Sequence, residues 1–330
     1  MMNRILKKWG LTSLLAVFML AFIVGCSTEE EATGDQDGAS QEEESNGEEI
    51  TEESQFPVTV TDDAGNEITI DEEPETVVSI QASYTEISYA LGLGDKMIGV
   101  SDFCNYPEEA MEVETVGGQD MNAELILSLL PDVALVTDYH HQNHPEILAQ
   151  FEEAGIDVIV IGSATSFADT YEKIDLIGEV TGATAEASEL ITDMQNRHEE
   201  IIEKADAVTD KKKVWVEVSP APDIFTTGQN TFMHEMLESI QATNAAGDQE
   251  GWVALTEEEI VQLNPEVIIT TYHSDDLQEE ISSRDGWAEV PAVKNEQIFD
   301  VDNDTVVRPG PRLIEGVETL AKLIYPDIFE

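Results

Sequence analysis

The stretch Leu125-Ile126-Leu127-Ser128-Leu129-Leu130-Pro131-Asp132-Val133 returns later in the chain as Glu259-Ile260-Val261-Gln262-Leu263-Asn264-Pro265-Glu266-Val267. Setting Pro131 on Pro265 gives a shift of 134 residues. In each copy a helical run stops ahead of a proline, which disfavours helix in the residue before it. A short apolar strand follows each proline, Val133 to Val136 and Val267 to Ile269. Helix-proline-strand corners belong to α/β architectures, and this one, met twice, predicts two similar α/β lobes.

Outward from the first copy, Val58 to Val60 and Ile68 to Ile70 alternate β-branched residues around Asp62-Asp63-Ala64-Gly65-Asn66, the pattern of a hairpin. Val77-Val78-Ser79-Ile80 reads as a short buried strand, followed by a helix from about Thr85 to Leu91. Ile98 to Val100 is a further strand. Between the copies, Leu190, Ile191, Met194, Ile201, Ile202 and Ala205 recur at helical spacing, so one long amphipathic helix is expected from about Ala183 to Ala207. Lys211-Lys212-Lys213 then leads into a strand from Val214 to Val218. The expected division is an N-terminal lobe over 56–182, an interlobe helix over 183–210 and a C-terminal lobe over 211–330, with the helix as a stiff connection.

A chain of 330 residues has length for two such units at roughly 150 residues each. Its 15 Lys and Arg stand against 70 Asp and Glu, net −55, which repels nucleic acid and anionic lipid at long range. Nucleic-acid binding is thereby excluded. Apolar residues reach 41%, enough for a core, so the acidity belongs to a solvated surface. No loop has the spaced carboxylates of an EF-hand.

Arg4, Lys7 and Lys8 precede the apolar run Leu11 to Val24, the charged and hydrophobic regions of a secretory signal. The run closes on Ile23-Val24-Gly25-Cys26, which resembles the bacterial lipobox and implies acylation of Cys26, with 1–26 as a lipoprotein signal. Residues 27–55 hold 12 acids and no base, and cannot bury enough surface to order themselves. They read as an acidic, disordered tether. Without the tether and signal, 58 acids still face 12 bases, so the folded part is itself acidic. With Cys26 lipidated, Cys104 has no partner for an intrachain disulfide.

Ligands of open parallel sheets bind beyond the carboxyl ends of the strands. Both repeated strands run into the same pair of residue types, Tyr139-His140 and Tyr272-His273. His141 and His144 extend the first pair, and the group His140, His141 and His144 reads either as a weak metal or haem site or as a polar, partly exposed loop. Phe225 and Trp252 read as loop aromatics able to offer flat apolar area, and Phe103 and Tyr106 supply two more. Arg308 and Arg312, in a chain poor in arginine, call for a bidentate partner, either an anionic ligand or a structural carboxylate. There is no G-x-S-x-G elbow, no phosphate-binding glycine loop and no H-E-x-x-H, and the chain does not read as an enzyme, a metalloenzyme built on the histidine loop standing only as a distant alternative.

From about Phe56 to Glu330 the sequence resembles the substrate-binding proteins of bacterial ABC importers for cobalamin and ferric siderophores. The matching stretches are the Val58 to Ile70 hairpin, Ser79 to Glu86, Ser101 to Pro107, Val116-Gly117-Gly118, Leu129 to Val133, Phe225-Thr226-Thr227-Gly228 and Arg308 to Arg312. The resemblance implies a class III, helical-backbone fold of two α/β lobes with a cleft between them and little hinge motion. It implies a lipid-anchored monomer on the extracytoplasmic face of the cell membrane, with an ABC permease dimer and its ATPase subunits as partners and no resident cofactor. The bound ligand would be a corrinoid or ferric chelate, with a ferric siderophore or haem as the alternative to cobalamin. It places Phe103, Tyr106, Tyr139, Phe225, Trp252, Tyr272 and Arg308 as ligand contacts, and Glu86 and Glu238 as surface glutamates that dock on the permease. Gly118 departs from the pattern, standing where a cobalamin binder can carry tryptophan. Trp252 and the scarcity of basic residues tilt the reading toward a corrinoid.

Overall fold

The computed structural model describes residues 55–329. The expected signal, Cys26 and, apart from Gln55, the tether lie outside the described residues.

The echoed corners precede the third strand of two four-stranded parallel sheets. In the first sheet the spatial order is Met97–Gly99, Val77–Ser79, Val133–Thr137, Asp157–Ile161. In the second it is Thr243–Asn244, Lys213–Glu217, Val267–Thr270, Ile298–Asp300. Counted within each lobe both orders are 2-1-3-4, so the two lobes share one topology and not merely one corner. The corners match in detail as well. Asn122 and Thr256 cap the two helices by accepting the amides of Leu125 and Glu259. Leu130 and Asn264 close them in the left-handed region, at φ 48° and 53°, and turn the chain into the proline.

Side chains alternate across a strand, and this alternation builds three cores. Val77, Val133 and Leu135 of the first sheet and Val214, Val216, Val267 and Ile269 of the second face a shared central core. Val78, Ala134 and Val136 turn to the outer face of the N-terminal lobe, where Ile126 and Phe151 cover them. Trp215 and Ile268 turn to the outer face of the C-terminal lobe, against Ile260 and Trp287. The long helix is Thr184–Ala205 and packs on Phe167–Thr181 of the first lobe and on Leu313–Ile324 of the second. Its Ala187, Met194 and Ile201 lie in the central core, so that core runs through both lobes.

The entrance hairpin pairs Val58–Thr61 with Glu67–Ile70. The helix expected from Thr85 begins three residues earlier, at Ala82. Phe225 and Trp252, expected in loops, sit in strands: Phe225–Thr227 pairs antiparallel with Trp252–Ala254, in a register that puts both rings on one face of the ribbon.

Candidate ligand-binding cleft

The N-terminal sheet reverses strand order between Val77–Ser79 and Val133–Thr137, the position at which open α/β sheets receive ligands. A cavity of about 710 Å³ lies there, lined by the residues that follow those strands, among them Ile80, Gln81, Ser83, Asp138, Tyr139 and His140, and by Pro309 from the C-terminal lobe. Phe103 is 67% exposed and leans over this space. Gly118 makes that posture possible, since a Cβ there would stand 2.7 Å from the Phe103 ring. Tyr139, 39% exposed, gives a second ring.

The smaller cavity beside it contains Trp252 and Val306, and Ala164 lines both. Phe103 and Tyr139 therefore share one cavity, while Trp252 stands at its neighbour. Phe225 is exposed on the same ribbon but lines neither cavity.

Arg308 and Arg312 are spent on a carboxylate, the structural reading of the pair. Glu86 is 2% exposed and lies between the lobes, not on the surface as expected for a docking residue. Arg312 holds it through two bonds of 3.0 and 2.8 Å, and Arg308 approaches at 3.5 Å. Arg308 also donates to Asn105 at 2.8 Å and pairs with Asp304 at 2.8 Å. Gly310 leaves room for the carboxylate, since a Cβ there would come within 3.3 Å of it. Tyr106 belongs to this interlobe clasp, its ring 4.0 Å beneath the Arg312 guanidinium, and does not line the cleft. Glu86 is thus not the surface glutamate that was expected, whereas the Glu238 side chain is on the surface, 69% exposed.

Tyr272 faces its own lobe. Its hydroxyl donates to Glu217, which also receives the Trp215 indole and two bonds from Arg284. Burial and the neighbouring Glu217 both push the Tyr272 phenol up, so it stays protonated. His273 is exposed and lies 3.2 Å from Asp300.

The histidine group is not assembled as a metal site. His140 is buried and donates from Nε2 to the Gly118 carbonyl at 2.9 Å, which leaves Nδ1 to accept from the Thr137 hydroxyl at 2.7 Å. Burial pushes this imidazole below its ordinary range, so it is neutral near pH 7. Both ring nitrogens are committed to the fold. His141 is exposed, and His144 lies 6.1 Å from His140, ring to ring. Among the described residues no cluster of three or more metal-ligating side chains exists. Burial pushes the Cys104 thiol up, and it donates to Thr85.

Sequence reading passed over Ser83, Asp102, Asp120 and Lys173, all lining the cleft. The rule that ligands sit beyond strand ends pointed to the loop after Val77–Ser79 as strongly as to Tyr139; the buried Lys173 carried no local signal.

A family model described as periplasmic binding protein matches residues 77–305. YvrC of Bacillus subtilis (strain 168), an uncharacterized ABC transporter substrate-binding lipoprotein, is 47% identical over 278 residues, covering 83% of this chain and 88% of that protein. A cobalamin-binding protein of Halobacterium salinarum is 30% identical over 284 residues, covering 82% of this chain and 74% of that one. The solved structure of a possible iron-binding (periplasmic solute-binding) protein from Staphylococcus epidermidis superposes with a TM-score of 0.70 at 33% identity, over 77% of this chain and all of the other.

Proposed function

The chain belongs to the periplasmic binding protein family, and on that footing we propose that it is the extracytoplasmic substrate-binding component of an ABC importer. It captures a metal chelate in the cleft and delivers it to a permease dimer driven by ATPase subunits, binding without chemistry. A corrinoid is the favoured cargo.

The observation that carries this reading is the pair of cavities meeting at Ala164, with the exposed rings of Phe103 and Tyr139 at one and that of Trp252 at the other. A ligand too large for either space can spread across both and stack on flat apolar surface. The cobalamin-binding relative supports the same cargo. A ferric siderophore is the second reading, favoured by the likeness to the possible iron-binding protein.

Glu238 is the remaining candidate for permease docking, and Cys26 the candidate for lipid attachment, in keeping with the lipoprotein relative. Cys26→Ala is expected to release the protein from membranes, because stable anchoring needs the acyl chains; cell fractionation after a salt wash checks it. The purified protein titrated with cyanocobalamin, ferric siderophores and haemin is expected to bind at least one of them. Silence toward the whole panel overturns the receptor reading.

A further inference from the structure

We infer that the cleft selects its chelate by charge, with Asp102, Asp120 and Asp138 admitting neutral or cationic metal complexes and turning away polyanionic ones. The inference rests on the receptor reading above and narrows its cargo.

Those three carboxylates line the main cavity, Asp102 and Asp120 exposed and Asp138 half-buried. The cavity's cationic side chain, Lys173, does not offset them. Its ammonium is held by both oxygens of Asp63, at 2.9 and 2.8 Å, so that pair is already neutral. His140 is neutral through its bonds to Gly118 and Thr137, and Arg308 and Arg312 are held by Glu86. A negatively charged ligand would therefore meet three carboxylates and no free cation among the described residues of the lining.

A second observation points to a ligand at the same place. Ser83 lines the cavity, is 2% exposed, and its hydroxyl has no hydrogen-bond partner in the protein. Buried hydroxyls are ordinarily satisfied. This one is available to a polar atom on the edge of a bound chelate.

Charge separates the chemical classes sharply. A ferric tris-catecholate carries three negative charges, a ferric trihydroxamate is neutral or cationic according to its side chains, and cyanocobalamin is neutral overall. The acidity of the whole protein also repels anions, but salt screens that long-range field beyond about 8 Å at physiological ionic strength, whereas the cleft carboxylates act at contact.

Calorimetric titration of the full chain in 0.15 M salt with cyanocobalamin, a cationic ferric trihydroxamate and a ferric tris-catecholate tests the inference. At least one of the first two is expected to bind about tenfold or more tightly than the tris-catecholate. The triple variant Asp102→Asn, Asp120→Asn, Asp138→Asn is expected to shrink that ratio by about tenfold. Should it fail to fold, the pair Asp102→Asn with Asp120→Asn, both exposed, is expected to shrink the ratio in the same sense. Ser83→Ala is expected to weaken the preferred chelate about threefold to tenfold with an unchanged melting temperature, because its hydroxyl has no partner in the fold to lose. Equal binding of the tris-catecholate, or a ratio unmoved by removing the carboxylates, overturns charge selection while leaving the receptor reading intact. No binding of any chelate overturns the receptor reading, and the inference with it.

Discussion

The two lobes carry the same 2-1-3-4 sheet and treat its switch point in opposite ways. In the N-terminal lobe the space beyond strands Val77–Ser79 and Val133–Thr137 is left open as the cleft. In the C-terminal lobe the matching space is closed by Glu217, fully buried, with Arg284, Tyr272 and Trp215 bonded to it. Strand register puts Ile80 of the first lobe where the second has Glu217. The two lobes thus differ at the end of the equivalent strand, where one carries an apolar side chain and the other a buried carboxylate with its partners. A buried carboxylate demands partners, and the arginine and tyrosine that satisfy it fill the crevice a ligand would use.

The comparison breaks most readily at Glu217. Arg284→Met leaves that carboxylate buried without its cation and is expected to cost about 3–5 kcal/mol of stability in urea unfolding. The double change Glu217→Gln with Arg284→Met is expected to recover much of it. A loss under 1 kcal/mol for the single variant would mean that the crevice is not closed by this pair.

The interlobe clasp comes next. Glu86→Gln strips the charge that Arg308 and Arg312 share and is expected to cost about 2–3 kcal/mol. Glu238→Ala, on the surface, is expected to move stability by less than about 0.5 kcal/mol and to leave ligand affinity alone while reducing uptake in reconstituted vesicles. Similar stability losses for the two glutamates would erase the distinction drawn between clasp and docking surface.

At the cleft and the cavity beside it, Phe103→Ala and Trp252→Ala are each expected to weaken chelate binding by about 1–3 kcal/mol with little change in melting temperature, since both rings are mostly exposed in the protein itself. Calorimetric titration beside thermal unfolding distinguishes this from a packing role, which would lower both together.

The smallest effect concerns the repeated corner. Leu130 holds the left-handed conformation that Asn264 holds in the other lobe, and a branched side chain is strained there while asparagine tolerates it. Leu130→Asn is expected to raise stability by about 0.5–1 kcal/mol, read from the urea midpoint.

The corner was legible because its determinants are local. A capped helix, a left-handed residue, a proline and an apolar strand occupy consecutive positions, and their alternation assigns each side chain to the central or outer core. The long helix was legible from its 3.6-residue spacing, and the apolar strand read as Val133 to Val136, with ligands expected beyond its carboxyl end, brought Tyr139 to the cleft without any knowledge of its neighbours. Phe103 followed from the resemblance, yet the reason it fits, the bare backbone at Gly118, is a contact across the lobe.

What sequence alone determined was therefore the fold class, the doubling of the lobes, the acidic charge and the aromatic supply. Tertiary structure decided what each polar residue faces. Glu86 and Arg312 stand 226 positions apart and Lys173 and Asp63 stand 110 apart, so no local pattern announces either pairing. Periodicity reports burial along one element, whereas the partner of a buried charge depends on which distant element is packed beside it. That dependence turned Arg308 from a ligand contact into half of a clasp, turned Tyr272 inward to Glu217, and left the cleft lined by carboxylates whose opposing cations were already taken.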